Sequence, residues 1–338
     1  MTLYGCYKAL RQDSYQGERT VMVDAIYPLA RHEIQEAWFQ PMGLHLRVLT
    51  NHPTILAIAE TSFRGFGPAC PVTTPDITLR LFTHSVDDDQ CQAPVFRAAG
   101  PMIYWTTGQA SMLVADRVHG LAWGYFSPQV LAQPASLRHH FLEPAFHVML
   151  QQRGFMAVHA AACVKNGRAV LLRAPSGGGK TTLAYASARS RLQALAEDAV
   201  SINVHTQVWW GMPWRFHLLP SACQLFPELS PTLPVVEIQG QRRLEVELET
   251  IRPGSTTIVA RPGPVVLLRR LPGGYSRLRP LAFAEARELW FERWSGAETE
   301  FAGYYRHVDE LLRHDTYRLD FGDDIDRAVE LLESLLHI

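Results

Sequence analysis

The sequence has few cysteines and no excess of charge of either sign. Its 338 residues include five cysteines, scattered along the chain and without Cys-x-x-Cys spacing. This usage argues against a disulfide framework or a cysteine zinc site and favours reduced thiols in a cytoplasm. Lysine and arginine number 32 against 33 aspartates and glutamates, a formal net charge of −1. The balance therefore favours neither a nucleic acid nor a membrane surface as a partner.

The sequence also lacks long apolar runs, internal repeats and low-complexity tracts. No stretch is long enough to span a bilayer, and Met1–Lys8 has no apolar region of the kind found in a signal peptide. We therefore expect a cytoplasmic protein. Hydrophobic residues make up 47% of the chain, which suffices for a full core in one large domain or two.

One glycine-rich stretch stands out against this ordinary composition. Residues 176–182 read Ser-Gly-Gly-Gly-Lys-Thr-Thr and follow the apolar run 169–172. Successive glycines let backbone N–H groups turn into a concave cradle, and the N-terminus of a following helix favours negative charge. The pattern predicts a phosphate-binding loop, with a flexible glycine turn as the alternative. Its nucleotide-binding residues are Ser176, Gly177, Gly178, Gly179, Lys180, Thr181 and Thr182.

The pattern of apolar and polar residues changes near residue 135. Residues 1–135 contain several short alternating segments and predict a β-rich N-terminal domain with a role in substrate recognition. Residues 136–338 predict a P-loop domain with a helical C-terminal tail. We further expect a short helix over Arg31–Phe39, a helix over Leu137–Gln152 that Pro144 bends or splits, and one strand over Phe155–Val164.

Two titratable side chains flank the loop at a distance. Asp198 follows Lys180 by 18 residues and ends an apolar strand beside Glu197. A carboxylate there can reach a magnesium ion or the acceptor of a phosphoryl group, and an acidic turn is the alternative. His159 precedes Lys180 by 21 residues. We expect its strand to pair with the strand that enters the loop, which places the imidazole near the phosphates. A core histidine is the alternative.

Basic and aromatic residues further along admit two interpretations each. Arg242 and Arg243 lie in a charged strand and are candidates for phosphate contacts, although a solvated strand face is favoured. An aromatic cluster is suited to stacking an adenine or covering a peptide, although core packing is favoured. Its members are Trp209, Trp210, Trp214 and Phe216.

The ordered set of histidine, loop and acid pair resembles the catalytic core of HPr kinase/phosphorylase and its relatives. These relatives include kinase-like proteins encoded with lasso peptides and other modified peptides. The resemblance lies in residues 158–172, 174–183 and 195–200, and it spans about residues 145–205. A weaker match follows at 317–320 and 324–335.

The resemblance implies an α/β fold, α+β overall, with a phosphoenolpyruvate-carboxykinase-like P-loop core beside the smaller β-rich domain. It implies a kinase that uses ATP and Mg²⁺ and phosphorylates a hydroxyl, in particular a serine of a peptide or small protein such as a ribosomally made precursor. Asp198 would be the general base and His159 the active-site histidine. Lys180 would hold the β- and γ-phosphates. The implied magnesium ligands are Thr181, Asp198 and Glu197.

The sequence departs from that family at three points. Glu197 stands where the family has an aspartate, Ala174 stands where Walker A has glycine, and the signature Glu-Ile-Arg-Gly-Leu-Gly is missing. HPr is therefore not implied as the acceptor. A small-molecule kinase and a non-catalytic nucleotide-sensing module stay open as alternatives. Because such relatives often assemble, a homo-oligomer stays open as well.

Overall fold

The structure is a computed structural model that describes residues 34–86, 94–230, 232–238, 240–292, 301–313 and 315–337. These residues form a mixed α/β arrangement, α+β overall. The strands are β1 (Gln35–Phe39), β2 (Leu46–Thr50), β3 (Ile77–Thr83), β4 (Val95–Ala99), β5 (Met102–Thr107), β6 (Ser111–Asp116), β7 (Leu121–Phe126), β8 (Phe155–His159), β9 (Ala161–Lys165), β10 (Arg168–Arg173), β11 (Gln193–Ala196), β12 (Ala199–Asn203), β13 (Trp209–Trp210), β14 (Arg215–Leu218), β15 (Val235–Ile238), β16 (Gln241–Glu247), β17 (Val259–Ala260), β18 (Val265–Arg270), β19 (Arg277–Pro280) and β20 (Thr316–Phe321). The α-helices are α1 (Pro53–Phe63), α2 (Pro128–Leu131), α3 (Pro134–Leu137), α4 (Glu143–Leu150), α5 (Lys180–Ser190), α6 (Leu248–Ile251), α7 (Phe283–Phe291), α8 (Tyr304–Leu312) and α9 (Ile325–Ser334).

A seven-stranded sheet, in the order β1-β2-β3-β7-β6-β5-β4, builds the N-terminal part. Helix α1 connects the parallel strands β2 and β3. The expected helix over Arg31–Phe39 is wrong for residues 35–39, which pair with β2 as an edge strand; residues 31–33 lie outside the described residues. Long-range pairing, which a five-residue segment does not reveal, decides its conformation.

The segment after this sheet is helical but not uniform. A π-helical turn (Arg138–Leu142) joins α3 to α4, and the N–H of Glu143 donates to the carbonyl of Arg138 five residues earlier. Pro144 has no N–H to donate to the carbonyl four residues earlier, and the wide turn accommodates this gap. The expected helix is therefore interrupted just ahead of the proline.

The helices of this segment pack into the core of the first sheet. Phe141, Phe146 and Met149 are buried there beside Phe63 of α1. Gly154 adopts a left-handed φ of 76° and ends the helical segment. Near this residue the chain passes from the core of the first sheet into a different core. A division of the chain into separate domains at residue 135/136 stays a prediction.

A six-stranded sheet, in the order β11-β9-β10-β18-β20-β19, carries the glycine-rich loop. Its central strands β10, β18 and β20 are parallel, so their carboxyl ends meet at one edge. Helices α5 and α9 pack on one face, and α7 and α8 pack on the other. A four-stranded sheet (β17-β13-β12-β8) and a three-stranded sheet (β14-β16-β15) lie next to it.

The expected single strand over Phe155–Val164 is two strands in different sheets. Strand β8 pairs with β12, whereas β9 pairs with β10, which enters the loop. The strand of His159 therefore does not pair with the loop strand as expected. A run that is buried throughout contains no local signal for the position at which the chain changes sheets.

Core packing is confirmed for three of the four aromatic candidates. Trp209 and Phe216 are fully buried, in different cores, and Trp210 packs against the core of the first sheet. Trp214 is only partly buried and meets Phe66 edge to face at 5.2 Å between ring centroids. Of the helices described, none has the length and apolarity needed to cross a membrane.

The position of Phe146 predicts a large loss of stability on truncation. Its ring is fully buried and meets Phe63 at 5.1 Å between centroids. We expect Phe146→Ala to lower the free energy of unfolding by about 3–5 kcal/mol through lost burial and a residual cavity. The matched control Phe96→Ala, on exposed β4, should cost no more than about 1 kcal/mol. Urea denaturation measures both, and equal losses would contradict the assignment.

Candidate functional site

The loop between β10 and α5 has a shape that requires its three glycines. Gly177 and Gly179 have φ angles of +76° and +90°, in the region that favours glycine. A Cβ on Gly178 would lie 2.6 Å from the Cβ of Ala174 and 2.9 Å from a backbone oxygen. A Cβ on Gly179 would lie 2.4 Å from the ring of Phe321 at the end of β20. The concave backbone therefore depends on the absence of all three side chains.

Ala174, the departure from Walker A, fits the same loop. It is not among the described non-glycine residues with positive φ, so its conformation does not call for glycine. Its carbonyl accepts a hydrogen bond of 3.0 Å from Lys180 Nζ, and its Cβ faces Gly178. In this loop the steric constraint falls on Gly178 rather than on position 174.

His159, Lys180 and Asp198 converge at the mouth of the loop. The Nε2 atom of His159 donates a hydrogen bond of 2.8 Å to Asp198 Oδ1, and Lys180 Nζ lies 3.9 Å from the same oxygen. Pairing of β8 with β12 sets His159 opposite Ala199, the residue after Asp198. The histidine thus reaches the loop from a neighbouring sheet.

These neighbours keep Asp198 ionised. Desolvation of the inner side of the carboxyl group by itself raises the pKa of Asp198. The hydrogen bond from His159 and the positive charges of His159, Lys180 and Arg243 outweigh that effect and lower the pKa of Asp198 below its usual range. Asp198 is exposed on its outer side. The site therefore presents an accessible carboxylate among positive charges.

Glu197 points away from the loop, contrary to the expected acid pair. Its carboxylate binds the backbone N–H of His217 at 2.7 Å and the Nδ1 atom of the same residue. Glu197 and Asp198 lie in the bend between β11 and β12, and their carboxylates have different partners. Glu197 is therefore not proposed as a magnesium ligand.

The two arginine candidates, Arg242 and Arg243, lie differently with respect to the site. The guanidinium of Arg243 donates to the His217 carbonyl at 3.3 Å and contributes positive charge at Asp198. Arg242 is exposed and pairs in register with Glu237. Neighbouring positions on a strand face opposite sides, so the structure brings Arg243, and not Arg242, towards the site.

A cavity of about 850 Å³ opens beside the first half of the loop and reaches His159. Its other lining residues include Trp290, over whose ring the guanidinium of Arg173 lies at 4.0 Å. Ser176 also lines this cavity, whereas Thr182 lines a smaller pocket beside Phe321. Four arginines line the large cavity, namely Arg173, Arg269, Arg270 and Arg318. Glu292 lines it as well, and Arg318 is paired with Asp320, so the lining is predominantly but not wholly basic.

A second group of charged side chains lies next to Glu197, and no sequence motif indicates it. His217 contacts Glu197 through Nδ1 and Glu245 through Nε2, the latter at 3.2 Å. Burial by itself lowers the pKa of His217, but the hydrogen bonds to the two glutamates raise it to about 9. The members are far apart in the sequence, so no local spacing reveals them.

No protein-family model matches the chain, and no curated protein matches it. Among solved structures it is similar to the HPr(Ser) kinase/phosphatase from Coxiella burnetii. The identity is 11% and the TM-score 0.27, over 53% of this chain and 88% of that chain. Such a likeness indicates no more than a distant structural relationship.

The raised pKa of His217 predicts a loss of stability at alkaline pH. Its pKa of about 9 in the folded protein lies above the ordinary histidine value of 6.5. The contribution is therefore complete below about pH 6.5 and disappears as the pH rises through about 9. It should amount to on the order of 3 kcal/mol, because each unit of pKa is worth about 1.4 kcal/mol. Urea denaturation between pH 6 and 10 measures it. His217→Gln should show a shallower decline, and parallel declines would contradict the role of His217.

Proposed function

We propose that the protein is a kinase that uses ATP and Mg²⁺ to phosphorylate a hydroxyl. The observation that supports this proposal best is the convergence of His159 Nε2 and Lys180 Nζ on one oxygen of Asp198 beside the glycine loop. A loop of this kind binds phosphates. A carboxylate at its mouth can orient the acceptor hydroxyl and accept its proton. Neither feature alone distinguishes transfer from binding.

The residues present fit a nucleotide triphosphate with its metal. The cradle that a Cβ on Gly178 or Gly179 would fill provides backbone N–H groups, and α5 adds its N-terminus. Thr181 and Asp198 offer hydroxyl and carboxylate oxygens, the donors that Mg²⁺ prefers. We propose that these two residues hold the ion. When bound, Mg²⁺ supplies positive charge against the charge on the phosphate oxygens.

The chain's own residues then have separate tasks in the transfer. Asp198 accepts the proton of the acceptor hydroxyl while the hydroxyl oxygen bonds to the γ-phosphorus. The bond from this phosphorus to the β–γ bridging oxygen breaks, and ADP leaves with the electron pair. Lys180 holds the β- and γ-phosphates, and His159 holds Asp198 in place through its hydrogen bond.

The lowered pKa of Asp198 determines what kind of base it can be. A carboxylate that holds protons weakly contributes little driving force for proton removal. Phosphoryl transfer with a loose transition state requires little, because most catalysis comes from positioning and charge. Asp198 therefore acts mainly by orienting the hydroxyl and takes the proton late.

The acceptor proposed is a serine of a peptide or small protein. A small anionic metabolite is the second candidate, favoured by the four arginines in the cavity that reaches His159. The proposal extends to a phosphoenolpyruvate-carboxykinase-like core for the six-stranded sheet and to acceptor selection by the first sheet.

Two substitutions distinguish a kinase from a nucleotide-sensing module. We expect Lys180→Ala to weaken ATP binding, because the cation next to the loop is lost. Asp198→Asn should bind ATP nearly as well as wild type but transfer phosphate about 10²–10⁴-fold more slowly. Fluorescent nucleotide titration measures binding, and transfer of labelled γ-phosphate to a panel of serine peptides or to water measures turnover.

The matched control is Lys165→Ala, which removes a lysine paired with Glu333 away from the loop. It should leave both measurements unchanged. If wild type binds ATP but neither hydrolyses nor transfers it, the sensing module is correct. Equal turnover by wild type and Asp198→Asn would refute the role of Asp198.

The steric contact inside the loop predicts a rescue. Gly178→Ala places a Cβ 2.6 Å from that of Ala174, so the cradle must widen, and ATP affinity should fall at least about tenfold. Ala174→Gly alone should bind ATP like wild type. The double variant should recover part of the affinity, since one of the two close contacts is gone. Absence of any recovery would show that the contact with Ala174 is not the cause.

A further inference from the structure

A histidine and carboxylate cluster lies between the helical segment and the three-stranded sheet. His139 comes from the π-helical turn, His217 from β14 and Glu245 from β16. We call these three residues the interface cluster. His217 and Glu245 are directly opposite each other in the β14–β16 register. All three side chains are largely buried, with 10–14% of each exposed.

Two of the three spacings between their ligand atoms match a tetrahedral metal site. One donor atom from each residue lies within 4.8 Å of the others. Glu245 Oε2 lies 3.2 Å from His217 Nε2 and 3.5 Å from His139 Nε2. Two ligands about 2.1 Å from a tetrahedral zinc ion lie about 3.4 Å apart. Both measured separations are close to that value.

A carboxylate behind His217 orients its ring. Glu197 binds the Nδ1 atom of His217, so the Nε2 atom faces Glu245 in the cluster. Glu143 Oε2 lies 3.8 Å from the Nδ1 atom of His139, beyond hydrogen-bond distance. A carboxylate on the far nitrogen of a ligating histidine is the usual second-shell arrangement in metal sites.

The charges around the cluster balance when His217 is protonated. Three glutamates, Glu143, Glu197 and Glu245, face the guanidinium groups of Arg138 and Arg215 and the His217 ring. A divalent cation therefore enters by taking the place of a proton or of a guanidinium, because a ligating histidine is neutral.

Arg138 determines whether the position is accessible to a metal. Its Nη2 atom contacts Glu245 and lies 3.0 Å from His139 Nε2. Its Nε atom is buried without a hydrogen-bond partner among the described residues and lies 3.8 Å from Glu143 Oε1. Rotation of the guanidinium towards Glu143 would satisfy Nε and free the centre. Arg138 and a metal ion are therefore competitors for one position.

We propose that the interface cluster is a structural site for a zinc-class divalent cation. The ligands are His139, His217 and Glu245, and the ion joins the helical segment to the sheet behind Asp198. Two imidazoles and a carboxylate suit zinc, and among first-row ions the affinity for such sites is high. The site is separate from the glycine loop and does not depend on the proposed kinase activity.

Titration of the full-length, metal-free protein with Zn²⁺ and Co²⁺, without nucleotide, tests the site. Wild type should bind about one equivalent, and bound Co²⁺ should show the strong visible absorption of a tetrahedral complex. Since second-shell losses already cost about 10–100-fold in affinity, His139→Ala and Glu245→Gln should each lose more than about a hundredfold. His140→Ala, which changes the adjacent histidine of the same turn, should bind as wild type does.

Arg138→Met supplies a result that a purely ionic network would not produce. If Arg138 competes with the metal, this variant should bind Zn²⁺ more tightly than wild type, and Zn²⁺ should raise its melting temperature more. Thermal melts without metal show which variants fold. If a ligand variant does not fold, Glu197→Gln is tested in its place. Wild type that binds no Zn²⁺, or ligand variants that bind it as wild type does, would overturn the proposal.

Discussion

Two consecutive carboxylates that face opposite sides of one turn hold the site together. Asp198 faces the glycine loop and shares one oxygen between His159 and Lys180. Glu197 faces inward and binds both the backbone and the ring of His217. A hydrogen-bonded buried carboxylate is costly to displace. The position of the exposed Asp198 is therefore maintained by its largely buried neighbour, Glu197.

Close steric contacts couple the glycine loop to the rest of the sheet. Gly179 is in contact with the ring of Phe321, the last residue of β20, and Gly178 with Ala174 at the end of β10. Strands β10 and β20 are both parallel to β18 between them. The carboxyl edge of the sheet thus shapes the loop from two sides, so its geometry depends on the strand ends as well as on its own glycines.

The local features were predictable from sequence, and the long-range ones were not. Helix α5 begins at Lys180, as the loop motif indicates, because glycine torsions and a helix N-terminus are set by neighbouring residues. The change of sheet at Ala160 was not predictable, since both strands beside it are equally apolar. The interface cluster joins residues 139, 217 and 245 and has no local pattern. The sequence does not reveal that Glu197 binds His217 instead of joining the proposed magnesium site, because His217 comes from a distant strand.

The buried charges also bear on how far the two halves of the chain are separable. Arg138 belongs to the helical segment that packs on the first sheet, yet it contacts Glu245 of the three-stranded sheet. Removing one partner of a buried ion pair typically costs about 3–5 kcal/mol, because the other charge stays uncompensated. Glu245 in turn binds His217, and His217 binds Glu197 beside Asp198. We therefore expect the loop-bearing half to lose the placement of Asp198 when it is separated from the helical segment.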